Sequence, residues 1–86
     1  MSVVEEFGRE LFMARRLKWM TQEQLARRAG LHRTEIGLLE KGQREPRLTT
    51  ILKLLDALDA EPNHLLLGLR WGDEREPPQA EDREGT

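Results

Sequence analysis

The sequence predicts an all-α fold of five short helices, and three observations carry that prediction. Apolar residues recur at the i, i+3, i+4, i+7 spacing of a one-sided helix in segment after segment. No run alternates with period two, as a half-buried strand requires, and no segment repeats at a fixed period. Capping and stop residues, among them Thr21, Gly30, Gly42, Pro46 and Pro62, fall between the periodic segments. The chain has 86 residues, 37% of them apolar, which is material for one compact core, since a domain takes roughly 100–200 residues.

Val4, Phe7, Gly8, Leu11, Phe12 and Ala14 mark the buried stripe of a first helix over roughly 4–18. Thr21-Gln22-Glu23-Gln24 reads as a capping box: the Thr21 hydroxyl accepts from the Gln24 amide, and the Gln24 side chain reaches back. The second helix, 22–29, then buries Leu25, Ala26 and Ala29 and stops at Gly30, which takes a left-handed conformation without a Cβ penalty. A third helix, 33–41, buries Ile36 and Leu39, leaves Leu38 exposed and ends at Gly42. Pro46 holds Glu45 extended, so Gln43–Pro46 is a loop. Leu48, Ile51, Leu52, Leu55 and Leu58 mark one face of a fourth helix, and Pro62 at the first helical position opens a fifth with Leu65, Leu66 and Leu67. Residues 1–69 are thus the folded domain.

There is no cysteine, so disulfides, thiol nucleophiles and thiolate metal sites are excluded. No apolar run approaches the ~20 residues that span a bilayer, and Met1–Glu6 lacks the pattern of a signal peptide, so a cytoplasmic location without membrane contact is expected. The net charge of −2 argues on its face against a nucleic-acid partner. The average conceals a segregation. Residues 15–53 hold ten basic side chains against four acidic ones, a surplus of +6, whereas residues 70–86 hold three against six. That acidic tail contains Trp71 but no Val, Ile, Leu or Phe, and is expected to be disordered.

Between Gln22 and Lys41, Leu25, Ala26, Ala29, Gly30, Leu31, Ile36 and Leu39 sit where two short helices crossing steeply need them. Ala26 and Ala29 permit close approach, Gly30 makes the turn, and the larger residues share a core. This is a helix-turn-helix pattern with its centre at 21–42. The stretch from Thr21 to Leu58 resembles the phage-repressor and Cro-type helix-turn-helix family, also called the XRE family. The resemblance is carried by Thr21-Gln22-x-x-Leu25-Ala26, Ala29-Gly30, Ile36, Leu39-Glu40-x-Gly42, Pro46 and the following Leu/Ile stripe. It extends over about residues 4–69. It implies a transcriptional regulator, a repressor foremost, whose third helix lies in the major groove of double-stranded DNA while the second crosses the backbone.

The residues themselves allow that docking. Arg33, Thr34, Gly37, Leu38 and Lys41 lie away from the buried Ile36/Leu39 edge of the third helix. Arg33 can pair with guanine through two parallel hydrogen bonds, Thr34 can bond a base edge, and Leu38 can touch a thymine methyl. Gly37 lets the helix sit close, and His32, just before the helix, can cap it or reach a base or phosphate. The plainer reading of this face is a solvated helix surface, and for Arg16, Arg27 and Arg28 it is preferred. By resemblance, Gln22 grips a phosphate with side chain and main-chain amide, Arg44 and Arg47 follow the strand or the minor groove together with Lys41, and Arg15 forms a structural ion pair with Glu40.

Leu65, Leu66, Leu67, Leu69 and Trp71 cannot all face one small core, and the family pairs through the end of its domain, so a homodimer on a pseudo-palindromic operator is expected. His32 and His64 have no carboxylate or Cys cluster beside them, so no metal or other cofactor is expected. Glu35 and Glu40 lack a nucleophile, a phosphate-binding loop and a pocket, which argues against an enzyme. The competing reading is an antitoxin-like or adaptor protein that works by gripping another protein, with the acidic tail folding on a basic partner. RNA binding is disfavoured because no stacking aromatics interleave with the basic residues.

Overall fold

The computed structural model describes residues 1–66 together with Gly68 and Leu69. Five helices follow one another: α1 (Val3–Leu17), α2 (Gln22–Ala29), α3 (Arg33–Glu40), α4 (Leu48–Leu58) and α5 (Asn63–Leu66). No strand occurs among the described residues, so the all-α, five-helix expectation is met. α1 starts at Val3 because Ser2 and Glu5 close a capping box, the Ser2 hydroxyl accepting from the Glu5 amide at 3.1 Å and the Glu5 carboxylate from the Ser2 amide at 2.9 Å. Thr21 and Gln24 close the second box at the start of α2, at 3.0 and 2.8 Å.

Four of the helices end alike. A left-handed residue turns the chain at Trp19 (φ 58°), Gly30 (φ 71°), Gly42 (φ 71°) and Asp59 (φ 53°). The amide of the next residue then bonds back to a carbonyl five positions earlier: Met20 to Arg15, Leu31 to Ala26, Gln43 to Leu38 and Ala60 to Leu55. Only two of these stops are glycine. Trp19 and Asp59 accept the conformation at a steric cost of about 1–2 kcal/mol each, and Trp19 leaves its ring 92% exposed.

The core is built from Phe7 and Leu11 of α1, Leu25, Ala26 and Ala29 of α2, Ile36 and Leu39 of α3, Leu54, Leu55, Ala57 and Leu58 of α4, and Leu65 of α5. α1 packs against α3 and α5, while α2 packs against α3 and α4. α1 and α3 approach closely at Gly8, where an added Cβ would fall inside contact of the Leu39 carbonyl oxygen and 2.8 Å from that of Glu40.

Several expectations need correction. Phe12 is exposed rather than core; the guanidinium carbons of Arg15 and Arg16 lie 5.3 and 5.5 Å from its ring centre, so it shields charge instead of filling the interior. On α4, Leu48 and Leu52 are 71% and 55% exposed, and the buried side carries Thr50, Leu54, Leu55, Ala57 and Leu58. Of the expected stripe, Leu55 and Leu58 are buried and Ile51 packs against the core; leucines stand on two sides of this helix, and packing took Leu54 in place of Leu48 and Leu52. Leu38 is half-buried rather than exposed. Pro62 precedes α5 instead of opening it, its carbonyl accepting from the Leu65 and Leu66 amides at 3.1 and 2.9 Å. Leu67, Trp71 and the acidic segment 70–86 lie outside the described residues.

Candidate nucleic-acid interface

α2 and α3 share the buried residues Leu25, Ala26, Ala29, Ile36 and Leu39, which fix α3 with one side inward. His32, Arg33, Thr34 and Lys41 are exposed on its other side, and Gly37 and Leu38 are half-buried. Arg44 and Arg47, in the loop that follows, are exposed as well. His32 caps α3: its Nδ1 accepts from the Thr34 amide at 3.1 Å. Arg47 occupies the cap position of α4 without a side-chain hydrogen bond to the helix.

Arg33 meets Glu23 of α2, with Nε 3.3 Å from a carboxylate oxygen, both side chains more than half exposed. Such an exposed pair contributes about 0–1 kcal/mol, so it steers the guanidinium without holding it. Glu23 was not singled out from the sequence, because ten positions and a turn separate it from Arg33 and no spacing rule relates them.

Behind this face lies a buried polar cluster. Arg15 of α1 donates to both carboxylate oxygens of Glu40, from Nε at 2.6 Å and Nη2 at 3.0 Å, and its Nη1 donates to the Met20 carbonyl at 2.8 Å. The two side chains are only 8% and 5% exposed. Gln22 adds a third donor to Glu40, its Nε2 lying 3.0 Å from Oε1. The cluster joins α1, the α1–α2 turn, the start of α2 and the end of α3. Arg28, expected to be a solvated charge, reaches across to the Ala57 carbonyl of α4 at 3.4 Å.

Gly37 stands beside the Gln22 amide: a Cβ there would lie 4.0 Å from Nε2, with nothing closer. Gly37→Ala is therefore expected to raise stability by about 0.5–1 kcal/mol, the gain of replacing glycine inside a helix, read from the urea midpoint. A fall in stability would mean that this contact cannot accommodate a methyl group.

At the chain's end, Leu65 is fully buried, Leu66 is 37% exposed and Leu69 is half-buried. Leu65 is thus committed to its own core. Leu66, Leu69 and Ile51 line a shallow apolar groove with Val3, Val4 and Phe7. Among the described residues no group of three or more His, Asp or Glu side chains could hold a metal ion, and no helix is long and apolar enough to cross a membrane.

The helix-turn-helix family model matches residues 11–65, from the middle of α1 to α5. The chain belongs to the helix-turn-helix family. It is of the phage-repressor and Cro (XRE) type, a DNA-binding regulator of transcription. It is 36% identical over 66 residues to the control protein C.SmaI of Serratia marcescens, covering 77% of this chain and 79% of that protein. It is similar to the crystal structure of the restriction-modification controller protein C.AhdI from Aeromonas hydrophila. That likeness has a TM-score of 0.70 and 45% identity over 72% of this chain and 94% of the controller. It also resembles a hypothetical transcription factor from Neisseria, with a TM-score of 0.71 and 28% identity over 86% and 82% of the two chains.

Proposed function

We propose that this helix-turn-helix protein is a dimeric controller of restriction-modification genes. It binds a pseudo-palindromic duplex with α3 in the major groove. The observation that carries the DNA reading is the exposed start of α3, where Arg33 and Thr34 stand free of the core, together with the exposed Arg44 and Arg47 in the loop that follows the helix. The restriction-modification context rests on the two controller proteins it resembles over most of their lengths. In this arrangement Arg33 reads guanine, Thr34 and Leu38 read neighbouring base edges, and His32 offers a donor at the groove wall. Gln22 and the start of α2 take a phosphate, while Lys41, Arg44 and Arg47 follow the backbone. Where the site overlaps a promoter, occupation represses.

The pairing surface shifts relative to the sequence expectation. Leu65 belongs to the core, whereas Leu48 and Leu52, one turn apart on α4, and Leu66 on α5 are exposed. A twofold contact through them sets the two α3 helices about 34 Å apart, one turn of DNA. Leu52→Glu is expected to yield a folded monomer in sedimentation equilibrium; a dimer of unchanged stability would place the contact elsewhere.

The test of the function is binding to the duplex upstream of the protein's own gene against an unrelated duplex of equal length at near-physiological salt. The expected preference is on the order of 10³ or more. Equal affinities that fall together as salt rises would leave only charge attraction and contradict the reading.

A further inference from the structure

The charged cluster behind the interface does more than join helices. We infer that Glu40 is a positioning residue for the DNA contact of Gln22, holding the side-chain amide so that it presents a hydrogen to a phosphate. The inference rests on the reading of α2 as the helix that meets the backbone.

The Glu40 carboxylate is gripped by two guanidinium nitrogens of Arg15, at 2.6 and 3.0 Å, in a site where its side chain is 5% exposed. Both of its oxygens face the guanidinium and act as acceptors. The Gln22 amide 3.0 Å away must therefore turn its nitrogen toward Glu40, because the opposite orientation would set its carbonyl oxygen against the carboxylate. That nitrogen carries two hydrogens whose bonds diverge, so one is committed to Glu40 and the other remains for a second acceptor.

Position supplies the rest. Gln22 is the first residue of α2 and half-buried, and the first amides of a helix lack intrahelical acceptors. The Gln24 amide is taken by Thr21, which leaves the amides at Gln22 and Glu23 to an anion. A phosphate there meets main-chain donors and a side-chain donor already oriented, so little side-chain freedom is lost on binding. The same amide lies beside Gly37, one turn before Glu40 on α3. The phosphate grip is thereby tied to the helix that reads the bases, and its placement follows α3.

A double-mutant cycle tests this. Arg15→Met with Glu40→Leu removes both charges together, so that neither is left buried without its partner, a replacement that is often neutral for stability. Duplex affinity is compared for the unaltered chain, this pair, Gln22→Ala and the triple variant, at a temperature where circular dichroism shows each folded. The expected result is a loss of about tenfold from the pair when Gln22 is present, and less than about twofold when it is alanine, the size of one charge-assisted hydrogen bond. Equal losses in both backgrounds, or no loss in either, would overturn the inference and leave the cluster a fold-stabilising device. Should the pair variant not fold, the side-chain amide of Gln22 in the unaltered protein decides by NMR. Side-chain hydrogens shifted away from those of a solvated glutamine and protected from exchange with water, on and off DNA, are expected, and the shifts and exchange rate of a solvated glutamine would overturn the proposal. Failure of the function itself reads differently: the unaltered chain then shows no preference among duplexes.

Discussion

Replacing Arg15 with alanine is expected to lower the unfolding free energy by about 3–5 kcal/mol, measured by urea denaturation. The reason is the carboxylate left behind. Glu40 would lose both guanidinium donors in a place 5% exposed, and a buried unpaired charge cannot recover its hydration. Met20 would lose its side-chain partner as well. Small domains sit at the lower end of the usual 5–15 kcal/mol, so the variant should be largely unfolded at growth temperature. The contrast is diagnostic: the Arg15→Met, Glu40→Leu pair should stay folded. A mild effect of Arg15→Ala would mean that water reaches Glu40 and that the cluster is not sealed.

Gly8→Ala is the second large effect, and it arises from backbone rather than charge. The new Cβ would collide with the Leu39 carbonyl and lie 2.8 Å from the Glu40 carbonyl oxygen. Neither can swing aside as a side-chain tip can, so α1 must retreat from α3. Overpacking of this kind costs about 1–3 kcal/mol or more, against about 1 kcal/mol regained in helix propensity. A net loss of up to about 2 kcal/mol is therefore expected, with the Arg15–Glu40 contact lengthened because it lies on the same α1–α3 seam. Gly37→Ala, the same change where a Cβ has room, should move stability the other way. If both substitutions stabilised the protein, the close approach of α1 and α3 would be wrong.

How legible these features were depends on how local their signals are. Thr21 with Gln24, Gly30 and Gly42 are short-range punctuation, and the α2–α3 unit they bound follows from sequence nearly to the residue. The stops at Trp19 and Asp59 were not visible, since neither side chain advertises a left-handed backbone. α4 misled because leucines occupy both of its sides, and only the position of its neighbours decides that Leu54 goes in while Leu48 and Leu52 stay out. For Phe12, period alone could not tell a core aromatic from one lying under guanidinium groups. At the candidate interface, the exposure of Arg33, Thr34 and Lys41 follows from their phase against Ile36 and Leu39. The Glu23 contact of Arg33 and the Gln22–Glu40 bond do not, because they join residues on different helices.

Arg33 is proposed to read base edges from α3. Selection of binding sites from a random duplex pool at near-physiological salt, run in parallel with Arg33→Ala, tests it most directly. The expected result is a pseudo-palindromic motif with half-sites one helical turn apart. In the variant that motif should lose preference at one symmetric base pair, with discrimination there falling by about 1–3 kcal/mol. An identical motif from both proteins, or no enriched motif from either, would contradict the assignment of α3 and Arg33 to the major groove.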